Sequence, residues 1–213
     1  MAVEFKNTQE PFAQTLTSVA DAIAHKPVVT LRELMSLIGE QGLLLFCMIL
    51  VIPFLFPVSI PGVSTVFGAV IILIGIGVTL NRLPWLPEFL MKRTFQTETL
   101  APTFRKGAER FAWLDKFLRP RLLALTSNIV MNRWNGIMLT FAGVLLIFPL
   151  GLIPFSNTLP GVAVLLLAAG MLQRDGVLIV GGYIFNVLTV IYFGALTLAA
   201  IAAGAGISSL LGS

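Results

Sequence analysis

Two clusters of small polar side chains stand beside Pro-Gly pairs inside otherwise apolar sequence, around Pro61-Gly62 and around Pro160-Gly161. In a membrane, hydroxyl and amide groups beside a broken helix can bind a polar or anionic ligand, together with the free backbone groups of the helix ends. The sequence therefore predicts a substrate site formed by the two breaks. Capping of short helices by the same side chains is the alternative at each position. The candidates are Ser59, Pro61, Gly62, Ser64, Thr65, Ser156, Asn157, Thr158, Pro160 and Gly161.

A second group of candidates consists of charged residues at the ends of the uncharged runs. A long side chain at such a position can extend to the membrane surface or turn inward. An inward side chain could bind an anion or pass a proton, with Glu40 and Arg174 as the foremost candidates. Asp175 could merely neutralise Arg174. This charged rim comprises Glu40, Arg82, Arg133, Arg174 and Asp175.

Catalytic and metal-binding patterns are missing from the sequence. One cysteine, Cys47, and one histidine, His25, can form neither an internal disulfide nor a Cys/His zinc site. No glycine-rich phosphate loop with a following lysine is present, and the uncharged runs contain no carboxylate pair. We therefore expect no enzyme, no cofactor and no metal. Aromatic and basic residues do not interleave on a polar face, so nucleic acid is not an expected partner.

The distribution of charge indicates a membrane protein. The chain has 213 residues, of which 57% are hydrophobic. Three stretches, 41–81, 134–173 and 176–213, contain no Asp, Glu, Lys, Arg or His. Each stretch exceeds the roughly 20 residues needed to cross about 30 Å of hydrocarbon. The expected fold class is an all-α, multi-pass membrane protein.

Prolines divide the first two uncharged runs in a similar way. Pro53 and Pro57 interrupt the first run, so residues 43–52 are predicted to form a half-helix of about 15 Å, whereas residues 63–80 can cross or nearly cross. The second run repeats this plan, and Ile60-Pro61-Gly62-Val63 corresponds to Leu159-Pro160-Gly161-Val162. We interpret the runs as an internal repeat of Pro/Gly-broken, re-entrant-like helical hairpins. A chance likeness between two proline-rich hairpins is the alternative, and a single crossing by each discontinuous helix also stays open.

The breaks would have to be shielded from lipid. Non-helical backbone at membrane depth has unpaired N–H and C=O groups, so it must be buried in protein or face a water-filled cavity. Paired breaks in two repeats are typical of a transporter whose site lies half-way across the bilayer. We therefore expect a midplane site between the two repeats.

The charged remainder of the chain predicts amphipathic interfacial helices. The pattern from Thr30 to Glu33 is typical of a capping box that begins a helix. Another helix, beginning near Pro102, has one apolar side and many bases, and is expected to contact anionic lipid headgroups unless it is an ordinary solvated helix. Residues 82–133 hold ten Lys or Arg against four acids and are expected to be cytoplasmic.

The expected organisation has five parts. They are N-terminal cytoplasmic or interfacial helices (1–40), membrane repeat 1 (41–81), a basic cytoplasmic linker (82–133), membrane repeat 2 (134–173) and a C-terminal transmembrane segment (174–213). Small residues of the last part, including Gly194, Ala195 and Ala199, form a face for close packing, and we expect a homodimer.

Several short motifs follow one another in a fixed order along the chain. They are Leu31-Arg32-Glu33-Leu34, Gly39-Glu40, Gly42, Ile60-Pro61-Gly62, Arg82, Pro84-Trp85-Leu86-Pro87, Arg119-Pro120-Arg121, residues 154–161 and Arg174-Asp175-Gly176. Together these motifs resemble the ExoD exopolysaccharide-synthesis family of bacterial membrane proteins, and the resemblance covers roughly residues 10–200. It implies an inner-membrane protein required for exopolysaccharide production and for tolerance of alkaline surroundings, with no established catalytic residues.

The sequence therefore predicts a transporter-like protein that moves or handles a polar or anionic substrate of exopolysaccharide export. Two alternatives remain open. One is a non-transporting assembly factor for the exopolysaccharide machinery, and the other is an ion or proton carrier linked to alkaline tolerance.

Overall fold

The computed structural model describes residues 12–55, 63–82, 92, 94–115, 122–148, 153 and 155–211. These residues are mainly helical, as the sequence predicts, and two short strands that were not predicted pair antiparallel with Val29 opposite Phe95. The elements are α1 (Phe12–Ile23), β1 (Val28–Thr30), α2 (Leu31–Val51) with a 3-10 turn (Ile52–Leu55), α3 (Val63–Leu80), β2 (Thr94–Gln96), α4 (Thr97–Asp115), a second 3-10 turn (Leu123–Leu125), α5 (Ile129–Ile147), α6 (Thr158–Gln173) and α7 (Gly176–Leu211).

Within the described residues, four helical segments are long and apolar enough to cross a membrane. They are Ser36–Leu55, Val63–Leu80, Ile129–Ile147 and Gly176–Ala203. The prediction of a membrane protein is thus supported by helix length and composition. The shorter helix α6 packs against α2, α5 and α7. Because α6 is apolar on all sides and largely enclosed, it forms the centre of the bundle.

The helix that contains the predicted half-helix, Leu43 to Ile52, begins earlier than the sequence predicts. Helix α2 continues from Leu31 to Val51, and the membrane segment Ser36–Leu55 has 20 residues, enough for a full crossing of about 30 Å. The prediction placed the start of the helix where the charged residues end. Residues 36–42 are also helical, with the exception of Gly39. Pro53 lies in the 3-10 turn that continues the segment.

A kink at Gly39 divides α2 into two helical parts within the candidate membrane segment Ser36–Leu55. Gly39 has φ 61° and ψ −142°, a backbone conformation that residues with a Cβ atom rarely adopt. The kink makes Glu40 the first residue of the second helical part. It therefore lies where the helix N-terminus carries a partial positive charge.

Contacts between helices give the direction of each crossing. Gly161 at the start of α6 packs against Val51 and Phe54 at the end of α2, so these two helices are antiparallel. Asn132 near the start of α5 contacts Glu40, so α5 runs parallel to α2.

The remaining crossings alternate in the same way. Gly136 in α5 packs against Gly75 and Thr79 in α3, while Gly143 packs against Gly68, so α3 and α5 are antiparallel. Gly170 packs against Ile179, which shows that α6 and α7 form a tight antiparallel pair. Both proline-divided runs therefore go across the bundle and return.

The two ends of the bundle differ in character. The membrane start of α2, the end of α3, the start of α5, the end of α6 and the start of α7 meet at one end, which we call the charged end. The opposite end, where α2 and α5 finish and α3 and α6 begin, we call the proline end. The rim residues belong to the charged end, because Glu40 contacts Asn132, and Arg82 lines a cleft with Arg133.

A small layer of surface elements adjoins the charged end. Helix α1 packs on α4, and the strands β1 and β2 pair beside them. The core of this layer contains Val19, Ile23, Val29 and Leu34, with Ala101 and Phe104 packed against it. Phe104 belongs to the apolar side of α4, which the sequence predicts to lie at the membrane interface. Because Phe104 packs against the core of the surface layer, this part of α4 faces protein instead. Side chains from Phe111 to Leu118 lie outside the described set.

Acid is expected to loosen the start of α2. The Thr30 hydroxyl accepts from the Glu33 N–H at 3.2 Å, and the Thr30 N–H donates to Glu33 at 3.0 Å, which confirms the predicted capping box. These backbone bonds and Lys26, 3.0 Å from the carboxylate, hold the pKa of Glu33 below its ordinary value of 4.5. The resulting stability is present above the ordinary pKa and is lost as the pH falls through the lowered one.

Hydrogen exchange of residues 28–38 can measure this effect. We expect faster exchange at pH 3 than at pH 6 in the wild type, after correction for intrinsic rates. In Glu33→Gln the pH dependence should largely disappear. An equal pH dependence in both proteins would contradict a role for the Glu33 carboxylate.

Candidate functional site

Glu40 lies inside the first membrane segment and is held by α5. The Asn132 Nδ2 donates to both carboxylate oxygens of Glu40 at 3.1 Å, and the side chain is partly buried. The Arg174 guanidinium is close enough to attract the carboxylate. An ionisable group within a membrane segment is costly and usually serves a function. Glu40 therefore centres the candidate site.

The turn after α6 fixes the backbone of Arg174. Arg174 has a left-handed φ of 53°, and the Asp175 N–H donates to the Gly170 C=O at 2.9 Å. The Asp175 carboxylate accepts from the Val177 N–H at 2.9 Å and so caps the start of α7. Asp175 thus has a structural role in the hairpin, and this hairpin holds Arg174 beside Glu40.

One helical turn further in, Asn135 links three segments. Its side chain is 1% exposed, its Nδ2 donates to the Leu125 C=O at 2.9 Å, and its Oδ1 accepts from the Tyr183 hydroxyl. Sequence reasoning selected neither Asn135 nor Tyr183 as a site residue. Asn132 and Asn135 are three residues apart at the start of an apolar helix and so lie on the same helix face. This spacing is the signal in the sequence that could have identified these two asparagines.

Asn186 extends this polar region to about the middle of the bundle. It lies ten residues after Gly176, ~15 Å along α7, or roughly half of a 30 Å bilayer core. Its Nδ2 donates to the Met138 C=O at 3.1 Å, and its Oδ1 is buried with no hydrogen-bond partner among the described residues. A buried unpaired oxygen costs about 1–3 kcal/mol, so the site favours a hydrogen-bond donor there.

These side chains form one inward series, which we call the polar track. It begins at the charged end and follows the contact between α5 and α7, because Tyr183 lies opposite Asn135 and Asn186 opposite Met138. The polar track consists of Glu40, Asn132, Asn135, Tyr183 and Asn186, with Arg174 at its entrance.

The predicted break residues that the structure describes lie elsewhere, at the proline end. Ser156 and Asn157 are buried before α6, and the Asn157 side chain makes no capping bond. Ser64 is buried in the first turn of α3, whereas Thr65 is exposed. Thr158 is partly buried, and Pro160 and Gly161 are buried. Ser59, Pro61 and Gly62 lie outside the described residues.

The described parts of the two breaks therefore stand at the ends of helices rather than inside half-helices. Helix α5 has 19 residues before the second break, and α3 has 18 residues after the first, so each is long enough to cross. The polar track, by contrast, extends into the interior of the bundle.

The chemistry available in the polar track is binding and proton transfer. It offers one carboxylate, one guanidinium at the entrance, three amides and a phenol. In the part of the chain that the structure describes, no three His, Cys, Asp or Glu residues are grouped for a metal. Such a set can bind a proton, a small cation or a polar ligand.

Comparisons with known proteins give one consistent result. The family described as "Exopolysaccharide synthesis, ExoD" matches residues 12–195. The chain is 57% identical over 208 residues to "Protein ExoD" of Rhizobium meliloti (strain 1021), covering 98% of this chain and 86% of that protein. It is 27% identical over 163 residues to an uncharacterized protein of Synechocystis sp., covering 76% of each. No solved structure gives a match.

Proposed function

Because this chain belongs to the ExoD family of exopolysaccharide synthesis, we propose that it is a transporter-like membrane protein of that process, in which Glu40 exchanges a proton. The observation that carries the proposal is the polar track, whose side chains stand at successive depths from Glu40 to Asn186 in a largely apolar bundle. A purely structural bundle would gain little from a carboxylate and an unpaired amide oxygen in this position.

The surroundings of Glu40 suit proton exchange. Asn132 donates to both carboxylate oxygens, which favours the charged form, while partial burial disfavours it. Arg174 adds a positive charge that can hold an anionic substrate or stabilise the deprotonated state.

The proposed orientation follows from the basic residues. Residues 82–133, with ten Lys or Arg against four acids, connect two helices at the charged end. Lys and Arg are enriched on the cytoplasmic side of inner membranes. We therefore assign the charged end to the cytoplasm of a bacterial cell, so that Glu40 would exchange protons with the cytoplasm.

Proton flux into vesicles tests the proposal. Purified protein would be reconstituted in vesicles containing a pH-sensitive dye, and a pH step would be applied with a potassium ionophore present. We expect wild-type flux above that of empty vesicles and at least a tenfold decrease in Glu40→Gln. The matched control is Glu98→Gln, because Glu98 is exposed on α4, and it should retain wild-type flux.

Two outcomes would oppose the proposal. One is wild-type flux equal to that of empty vesicles over a range of pH steps. The other is unchanged flux in Glu40→Gln when this variant reconstitutes with the same yield.

A non-transporting assembly factor is the second candidate. The surface layer favours it, since a groove between α1 and α4 is lined by Ala13, Gln14, Thr17, Ser18, Arg105, Ala108 and Glu109. Such a groove, apolar in part and with polar and charged side chains, could bind another protein of the machinery. Retained partner binding without any flux would favour this role. A midplane site between the proline breaks has less support, because the described break residues lie at helix ends.

A further inference from the structure

A basic cleft lies at the charged end, separate from Glu40. Its lining includes Thr79, Leu80, Arg82 and Arg133, and its volume is about 400 Å³. It stands where the end of α3 meets the first turns of α5. Because Arg133 belongs to the membrane segment Ile129–Ile147 and Arg82 follows the segment Val63–Leu80, the cleft is at the membrane surface.

The backbone around both arginines is fixed. Asn81 ends α3 in a left-handed conformation with φ 52°, its N–H donates to the Val78 C=O at 3.1 Å, and the Arg82 N–H donates to the Gly77 C=O at 2.9 Å. This pair of bonds is a Schellman turn. Arg133 is held by α5, which packs tightly on α3 through Gly136 and Thr79. The cleft is therefore a preformed feature.

The charge of the cleft is uncompensated by described residues. Within the described ranges, the side chains of Arg82 and Arg133 form no ion pair or hydrogen bond. Two guanidinium groups on one cleft repel each other, so an anion bound between them would be stabilised. A guanidinium matches a phosphate in geometry because it can donate two parallel hydrogen bonds.

Exposed apolar side chains lie on the cleft and on the turns of α5 that carry Arg133. Leu80, which lines the cleft, is 58% exposed. Val130 and Trp134, near Arg133 in α5, are 59% and 48% exposed. Exposed aliphatic side chains can contact acyl chains, and tryptophan is favoured at the level of the headgroups. A ligand with a phosphate next to hydrocarbon chains fits both parts of this surface, whereas a free phosphate would use only the arginines.

We propose that Arg82 and Arg133 bind the headgroup phosphate of an anionic phospholipid, with its acyl chains along Leu80 and Trp134. The cytoplasmic leaflet is rich in anionic lipids, which agrees with the orientation assigned above. This lipid site is independent of proton transport. It anchors the ends of α3 and α5 at the membrane surface.

Quenching of Trp134 fluorescence by brominated lipids tests this site. The background variant carries Trp85→Phe and Trp113→Phe, so that Trp134 is the only tryptophan of the chain. Nanodiscs would contain phosphatidylcholine with a small fraction of brominated phosphatidylglycerol or brominated phosphatidylcholine. We expect stronger quenching by the brominated phosphatidylglycerol at equal fractions.

Variants distinguish the specific site from general attraction. Arg82→Gln with Arg133→Gln should lower the preference for phosphatidylglycerol at least about tenfold, since two charge-assisted contacts are lost. The double variant Arg82→Lys with Arg133→Lys keeps both positive charges and should retain part of the preference for phosphatidylglycerol. It therefore distinguishes the loss of charge from misfolding. Lys106→Gln, an exposed base on α4, is the matched control and should keep the full preference.

Three results would overturn the proposal. Equal quenching by both brominated lipids in the wild-type background would exclude a preference for the anionic headgroup. An unchanged preference in the double glutamine variant would exclude the two arginines. Complete loss of the preference in millimolar inorganic phosphate at constant ionic strength would indicate a site for a free anion instead of a lipid.

Discussion

Replacing Gly136 with leucine is expected to destabilise the protein by more than about 3 kcal/mol, beyond the usual range for overpacking. A Cβ atom at Gly136 would lie 2.6 Å from the Thr79 Oγ1, 2.8 Å from the Thr79 backbone N and 3.1 Å from the Gly75 C=O. Two of these atoms belong to the backbone of α3. They cannot rotate away, so the helices would have to separate.

The contact is reciprocal, which increases the expected effect. A Cβ at Gly75 would lie 2.8 Å from the Thr140 backbone N, and Gly68 packs in the same way against Gly143. The hydroxyls of Thr79 and Thr140 each donate at 2.8 Å to the C=O four residues earlier in their own helices, so no polar group is left unpaired at this crossing. Small residues allow such close packing of membrane helices.

The fraction of folded protein in mixed detergent micelles, measured against increasing SDS, gives the stability. Ala69→Leu is the control, because Ala69 is exposed on α3, the helix that Gly136 contacts, and so has room for a larger side chain. We expect a large decrease in the unfolding midpoint for Gly136→Leu and a small change for Ala69→Leu. Similar midpoints for both variants would show that the α3–α5 contact contributes little.

Replacing Asn135 with leucine is expected to cost about 2–3 kcal/mol and to reduce proton flux. The change leaves the Leu125 C=O and the Tyr183 hydroxyl without their partner, and each unsatisfied buried group costs about 1–3 kcal/mol. Leucine has the same branched arrangement of side-chain heavy atoms as asparagine but is bulkier and offers no donor or acceptor. The polar track would therefore lose its contact between α5 and Tyr183 of α7.

A double-mutant cycle with Tyr183→Phe isolates the pair. The coupling between Asn135 and Tyr183 should be about 0.5–3 kcal/mol, as found for side chains in one hydrogen-bond network. Thr197→Val serves as control, since its hydroxyl is exposed and bonds only within α7, to the Phe193 C=O at 2.9 Å. Additive effects of Asn135→Leu and Tyr183→Phe would contradict the interhelical bond.

Proton flux separates the structural role of Asn135 from its role in the track. Tyr183→Phe removes the hydroxyl but retains the ring, so it should reduce flux with a smaller loss of stability than Asn135→Leu. If both variants fold and both keep wild-type flux, the polar track is structural, and the assembly role becomes the better explanation.

The sequence by itself determined the class of the protein and its family. Charge-free stretches long enough to cross a bilayer indicate membrane helices. Exposing so much apolar surface to water would be costly, whereas the hydrocarbon core of a bilayer accommodates it. The capping box of Thr30 and Glu33 is equally local and was predicted correctly. The motifs around Glu40, Pro61 and Arg174 gave the ExoD family, which the comparison confirms.

Only the tertiary structure decided which polar residues meet. Glu40 and Asn132 are 92 residues apart in the chain, and Asn135 and Tyr183 are 48 apart, so no local period relates them. The extent of α2 also depended on context, since Gly39 kinks this helix without ending it and Pro53 continues the segment in a 3-10 turn. Sequence periodicity fixes the spacing of side chains within one helix, whereas the direction and contact of neighbouring helices arise from packing between distant segments.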